Sequence, residues 1–309
     1  MEIALIAVIA LAFLTAAFVV LRRWADPWAK LRPELMKMLN DAEKTGTGDT
    51  SQIPMLLNKA KEQYKRAQNA SDMDIVLETY QAVLTIDPMN YEALVGTATM
   101  NDFKVNLFLK DRRERQRCCL NALTYSVLAM CTNPTFKARI KKGEREWEAV
   151  EVLAEKEMGA MLYWVAAVTL WLTLTLRSTV SRLLFLVFNK GRIDAMIDRM
   201  LAINPAWNGG DPYMMKAGHL AAYPSFLGGD LDKAAEYCNR AIELSPLGIN
   251  RRVYRAMFLH TRRRDRDACV KDLEWVVSQD LDQGDRRDPY NIVFQRRAKK
   301  ALKNIDKYF

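Results

Sequence analysis

Residues 223–246 read Tyr223-Pro-Ser-Phe-Leu-Gly-Gly-Asp-Leu-Asp-Lys-Ala-Ala-Glu-Tyr-Cys-Asn-Arg-Ala-Ile-Glu-Leu-Ser-Pro246. Pro224 and the Gly228-Gly229 pair forbid a continuous helix through the first part of this stretch. Asp230 then stands as an N-cap, with acidic side chains in the first turn to suit the helix dipole. The helix runs to Leu244 and stops ahead of Pro246, because the residue before a proline avoids the helical region. Its inner stripe is Leu231, Ala234, Cys238, Ala241 and Ile242, and the small members let a neighbouring helix approach closely.

Spacing carries more information than the helix itself. Ala234, Cys238, Ala241 and Pro246 fall at offsets 0, 4, 7 and 12, the small, large, small, proline pattern of the second half of a tetratricopeptide repeat. The same template fits Val76, Tyr80, Val83 and Pro88, then Ala122, Ser126, Ala129 and Pro134, then Ile193, Ile197, Met200 and Pro205. Cys269, Leu273, Val276 and Leu281 form a degenerate fifth copy without the proline. The prolines are 46, 71 and 41 residues apart, so the repeats carry long insertions. The expectation is an all-α, TPR-like solenoid of antiparallel helix pairs with an N-terminal transmembrane anchor helix. Half of the 309 residues are hydrophobic, 13 are Gly, and alternating Val/Ile/Thr runs are scarce, which agrees with helical periods and a large core.

The run Gly228 to Leu244 also resembles the signature of the T-component family of TRAP transporters. Gly159-Ala-Met-Leu-Tyr-Trp-Val-Ala-Ala167, Asn204-Pro-Ala-Trp-Asn-Gly-Gly210 and the basic helix ending in Asp306-Lys-Tyr-Phe309 are similar to that family too, in the same order. The resemblance implies an all-helical, non-enzymatic, TPR-like protein. It further implies a periplasmic lipoprotein that tends to form trimers and works with the solute-binding component of the transporter.

Ile3 to Leu21 is a stretch of 19 uncharged residues, which as a helix spans roughly 28 Å, about one bilayer core. Ile3, Leu5, Leu11, Phe13, Phe18 and Leu21 are its apolar anchors. The n-region lacks the basic residues of a cleaved signal, and no cysteine near its end offers a lipid attachment site, a departure from the family's habit. We therefore read residues 1–23 as an uncleaved single-pass anchor in a bacterial inner membrane. Residues 24–50 are a juxtamembrane helix and linker, with Leu31, Leu35, Met38 and Leu39 on one side, and residues 51–309 the repeat domain. Arg22, Arg23, Lys30 and Arg32 after the span favour a cytoplasmic domain, whereas the resemblance favours the periplasm, so the side stays open.

Met158 to Leu176 is a second stretch of 19 uncharged residues. By length it could span a bilayer. Thr169, Thr173 and Thr175 soften that case, and the favoured reading is a helix covered on every side within the solenoid. A third reading dips Leu183–Phe188 into the bilayer. We read Lys137–Lys156 as a charged helix, and the last helix, with Ile292, Ala298, Leu302 and Ile305, as a cap on the array.

The net charge of +9 is uneven, with 16 Lys/Arg against 9 Asp/Glu from Arg251 to Phe309. The plain reading is a solvated helical face, with Val253, Met257 and Leu259 or His260 turned inward. Acidic residues interleave with the basic ones and no recognition motif is present, which argues against nucleic acid. Five cysteines with no Cys-x-x-Cys pair, and only 2 histidines, point to buried free thiols rather than a zinc site or a disulfide framework. His219 and His260 have no catalytic company, no phosphate-cradling Gly-rich loop exists, and no cofactor is expected.

Two functions stay open. One is a scaffold that binds a protein partner, with Val76, Tyr80, Ala122, Ala129, Gly228, Gly229, Asp230, Ala234, Cys238 and Ala241 as its packing residues. The other is a binding protein for a small apolar solute or lipid, in a pocket walled by Tyr163, Trp164, Leu170, Trp171 and Phe185. Trp207, in the Asn204–Pro212 loop, is either a binding-surface aromatic or packs over the neighbouring helix.

Overall fold

The structure, a computed structural model, describes residues 27–45, 48–175, 179–281 and 288–309. The anchor expected at 1–23, with Ile3, Leu5, Leu11, Phe13, Phe18 and Leu21, lies outside the described residues. Among the described residues the regular structure is helical and contains no strand. Among them, too, no helix is long and apolar enough to cross a membrane.

The chain proceeds by helices that fold back on one another through short links. Helix α1 is Pro27–Thr45, and α2 (Ile53–Arg66) pairs with α3 (Ala70–Ile86). Next, α4 (Tyr91–Leu107) pairs with α5 (Arg112–Met130). The short α6 (Pro134–Lys141) leads to the central α7 (Met158–Thr175) and the long α8 (Thr179–Ile203). Then α9 (Trp207–Ala222) pairs with α10 (Leu231–Leu244). Finally α11 (Ile249–Tyr254), which continues through a π-helical segment Arg255–His260, precedes α12 (Arg266–Ser278) and α13 (Pro289–Lys303).

Local chemistry sets these boundaries. Asn69, Asn90, Asp111, Asn133, Asp230, Asp265 and Asp288 each cap a helix by accepting from a backbone N–H of its first turn. The Asp230 cap takes two such bonds, from Asp232 N at 3.0 Å and Lys233 N at 2.9 Å. Before it, Gly228 sits at φ 84° after a short 3-10 turn and Gly229 leads into the cap.

The helical positions of the repeat template are buried, whereas its prolines are half-buried or exposed. Val76, Val83, Ala122, Ala129, Ile197, Met200, Ala234, Ala241, Cys269, Leu273 and Val276 are 0% exposed, Tyr80 is 6% and Cys238 is 3%. Ser126 is buried as well, because its hydroxyl donates to Ala122 O at 2.7 Å and leaves no polar atom unsatisfied.

Helix α7 packs against α4, α5 and α8, and Met158, Met161, Trp164 and Val168 are fully buried. Each such large side chain contributes about 2–3 kcal/mol of burial free energy. Helix α1 joins the same core through Leu31, Leu35 and Leu39, and Arg32 ties it to α6 by donating to Ile140 O at 3.3 Å. All five cysteines are free and buried.

Three expectations are corrected. The charged stretch 137–156 is not one helix: α6 ends at Lys141, Gly143 follows at φ 106°, and short 3-10 turns carry the chain to α7. The basic stretch after Arg251 is not simply a solvated face, because Arg251, Arg252 and Arg255 turn inward onto buried carboxylates. Helix α13 does not end the array as a cap. It touches α2 and α4 at the other end of the chain, so the helical array closes on itself.

Candidate functional site

Closure of the array brings together aromatic side chains from opposite ends of the sequence. Tyr64 on α2, Phe103 on α4, Tyr163 on α7, Tyr254 on α11, and Tyr290 with Phe294 on α13 form one continuous seam. Phe103 lies 5.7 Å from Tyr64, 6.2 Å from Tyr163 and 4.6 Å from Tyr290, ring centre to ring centre. Phe294 extends the seam at 4.6 Å from Tyr290 and 5.3 Å from Tyr254. Two hydroxyl contacts lock it: Tyr64 donates to Asp288 Oδ1 at 2.6 Å, and the hydroxyls of Tyr254 and Tyr290 are 3.0 Å apart. The π-helical segment that follows Tyr254 shifts register by a residue per turn, and it sets Phe258 over the Tyr254 ring at 5.5 Å.

A buried carboxyl adjoins Phe103 of this seam. Asp102, next to Phe103, is 4% exposed. Its Oδ2 accepts from Asn106 Nδ2 at 3.0 Å, while Oδ1 has no hydrogen-bond partner. Burial pushes its carboxyl up to about 7, opposed by the Asn106 bond. Burial likewise raises the phenols of Tyr64, Tyr163 and Tyr290 well above their ordinary value and that of Tyr254 to about 12. Tyr64, Phe103, Tyr163, Tyr254 and Tyr290 are nevertheless only half-buried.

Two charge clusters lie among α9, α11 and α12. At the start of α9, Asn208, Gly209 and Gly210 take left-handed φ values of 49°, 68° and 93°, which glycine adopts without strain. This turns the carbonyls of Asn208 and Gly209 onto the Arg251 guanidinium at 2.6 and 3.1 Å, with Asp211 Oδ1 at 3.0 Å. In the second cluster Asp272, 3% exposed, accepts from Arg255 at 2.6 and 2.7 Å and lies 3.3 Å from His260. Burial alone would raise the Asp272 carboxyl; the Arg255 and His260 contacts outweigh it and hold it at about 2. His219, the other histidine, sits 3.2 Å from Asp194, which also binds Lys190 and Lys216.

The five aromatics singled out as a surface do not share one. Trp164 and Phe185 belong to the central core, at 0% and 3% exposed. Trp171 is buried in a separate cluster with Val105, Cys118, Cys119 and Leu174, and Leu170 packs against that cluster. Trp207 packs half-buried against the central core. Tyr163 alone reaches the seam. Helical periodicity hid Asp102, Phe103 and their partners, because nothing local tells that α13 returns to α4. The available signal was Asp102 itself, a charge set between Met100 and Phe103 in a helix that also buries Asn101 and Lys104. Among the described residues no group of His, Cys, Asp and Glu is placed to hold a metal ion.

These features define an all-helical protein built on helix pairs around an aromatic seam. Residues 73–309 match the TRAP transporter T-component family, and the chain belongs to that family. Its role is accordingly tied to a TRAP transporter. No curated protein matches the chain.

Proposed function

We propose that the protein is a non-enzymatic, membrane-tethered TPR-like scaffold that docks the solute-binding component of a TRAP transporter. The family match over 73–309 carries this reading. Burial at the same offsets in α3, α5, α8, α10 and α12 supports a repeat array, although Ile193, Ile197 and Met200 of α8 do not keep the small positions, and such arrays expose long surfaces for a protein partner. In this reading residues 1–23 hold the chain in the inner membrane, 24–50 carry it away from the bilayer, and 51–309 present the docking surface. Assembly as a homotrimer, which the family resemblance implies, would multiply that surface threefold.

Docking requires the helical body on the side of the membrane where a periplasmic solute-binding component moves. Lys59 is exposed on α2, and the native thiols are buried, so Lys59→Cys supplies a single reactive thiol. Labelling of intact cells by a membrane-impermeant maleimide is the expected result. Protection in intact cells, with labelling restored on lysis, would place the body in the cytoplasm and defeat the docking reading.

A further inference from the structure

Two inter-helix links come together around one cleft. The first, Asp87 to Asn90, joins α3 to α4, and the second, Cys131 to Asn133, joins α5 to α6. With Lys156, in the 3-10 turn before α7, they line a space of about 420 Å³ that opens to solvent. Small-molecule sites usually measure about 300–1,000 Å³. The walls are held by bonds of their own. Asp87 Oδ1 accepts from Met89 N at 3.1 Å, and Oδ2 accepts from Asn90 Nδ2 at 3.3 Å. Thr132 Oγ1 donates to Ala129 O at 2.8 Å, and Asn133 Nδ2 donates to Val152 O at 3.2 Å.

The cleft has a surplus of positive charge. Lys137 and Lys141 share a single carboxylate, Glu43, at 2.8 and 2.6 Å. Lys156 is exposed and has no carboxylate partner among the described residues; its ammonium stands 5.8 Å from the centre of the Tyr91 ring. The lining's carboxylate, Asp87, already gives both oxygens to its link. Met89, Tyr91 and Pro134 supply apolar surface beside these cations. Tyr91 is half-buried, and its hydroxyl rests against the start of α7, where a Cβ at Gly159 would meet it at 3.5 Å. The ring is thus held in place at its far edge.

We propose that this cleft binds a small organic anion with an apolar body. The charged head sits between the ammonium groups of Lys156 and Lys137, which donate to it, and the body lies along Tyr91, Met89 and Pro134. Hydrogen bonds between an ammonium and an anion are among the stronger ones, and Lys156 has three donors with no carboxylate to take them. The inference goes beyond docking to a transporter component and does not depend on it.

The test is isothermal titration of the full-length protein in detergent with phenylacetate, an aromatic carboxylate. Saturable binding at millimolar concentration is the expected result. Lys156→Gln, at an exposed position that leaves the fold intact, should weaken it about fivefold, and Lys156→Arg should restore most of the loss. Removing both cations, in Lys137→Gln with Lys156→Gln, should abolish it. Added salt should weaken binding to the parent, since the head is held by charge. Benzylammonium, with the same ring and the opposite charge, should not bind. Three results would each overturn the assignment: no heat at millimolar phenylacetate, equal affinity in the double variant when it melts like the parent, or benzylammonium binding as tightly as phenylacetate.

Discussion

Replacing Gly96 by Ala tests the packing of α3 against α4 at a single atom. A Cβ at Gly96 would lie 2.6 and 2.8 Å from Cε1 and Cε2 of the Tyr80 ring. Tyr80 holds the large position of the repeat stripe on α3 and is 6% exposed, so its ring has no free direction of retreat. Alanine favours the helix over glycine by about 1 kcal/mol, and overpacking of a rigid contact costs about 1–3 kcal/mol or more. With a ring rather than a flexible chain end in the way, packing wins, and we expect a net loss of about 1–2 kcal/mol. For a chain of this length the specific unfolding entropy converts that into a melting temperature lower by about 2–3 °C. The assay is thermal or urea denaturation followed by circular dichroism. Tyr80→Leu in the Gly96→Ala background should cost less than the sum of the single changes by about 1 kcal/mol, since each relieves the other's strain. A Gly96→Ala variant that melts higher than the parent, with additive effects in the double variant, would refute the wedge of Tyr80 against α4.

Further perturbations address the seam and its braces. The Asp102 carboxyl lies at about 7 in the folded chain, above its unfolded value near 4. The fold therefore prefers its neutral form, and this group's contribution to stability is full below about pH 4 and falls as pH rises toward 7. Between pH 5 and 8 the parent should lose about 2–3 kcal/mol relative to Asp102→Asn in urea titrations; parallel pH profiles would contradict the burial argument. Arg251→Ala removes the donor to two carbonyls and Asp211, which should cost about 3–5 kcal/mol. Arg251→Lys should restore only part, because one ammonium cannot reproduce the planar fork; full restoration would show that charge alone suffices.

The repeat stripe was legible because burial is periodic. Positions such as Ala234, Cys238 and Ala241 match one set of offsets whatever lies between the matches, and the match at Cys269 to Leu281 is buried despite lacking its proline. Asp230 was legible as a cap because capping is settled within three residues. The identity of α7 as an interior helix followed from its apolar faces, and the family resemblance, spread over several motifs, agrees with the match over 73–309. The seam was not legible. Phe103 and Tyr290 are far apart in the chain and meet only because the array closes, and no local pattern encodes closure. The inward arginines were missed for a related reason: Arg255 reads as solvated until Asp272, on the next helix, is seen to be 3% exposed. Trp164 and Trp171 misled because a large aromatic in an apolar helix fills a core as readily as it walls a pocket.

The proposal is that this member of the TRAP T-component family docks the transporter's solute-binding component. The most direct measurement is a binding titration of the full-length protein in detergent with the purified solute-binding component of its own transporter, followed by fluorescence of a dye on Lys59→Cys. Saturable binding with a Kd of about 10 µM or tighter, some 7 kcal/mol or more, is the expected result. A solute-binding protein from an unrelated transporter should not bind. Absence of binding at about 100 µM, or equal binding of the unrelated protein, would contradict the docking role and leave the helical array without its proposed partner.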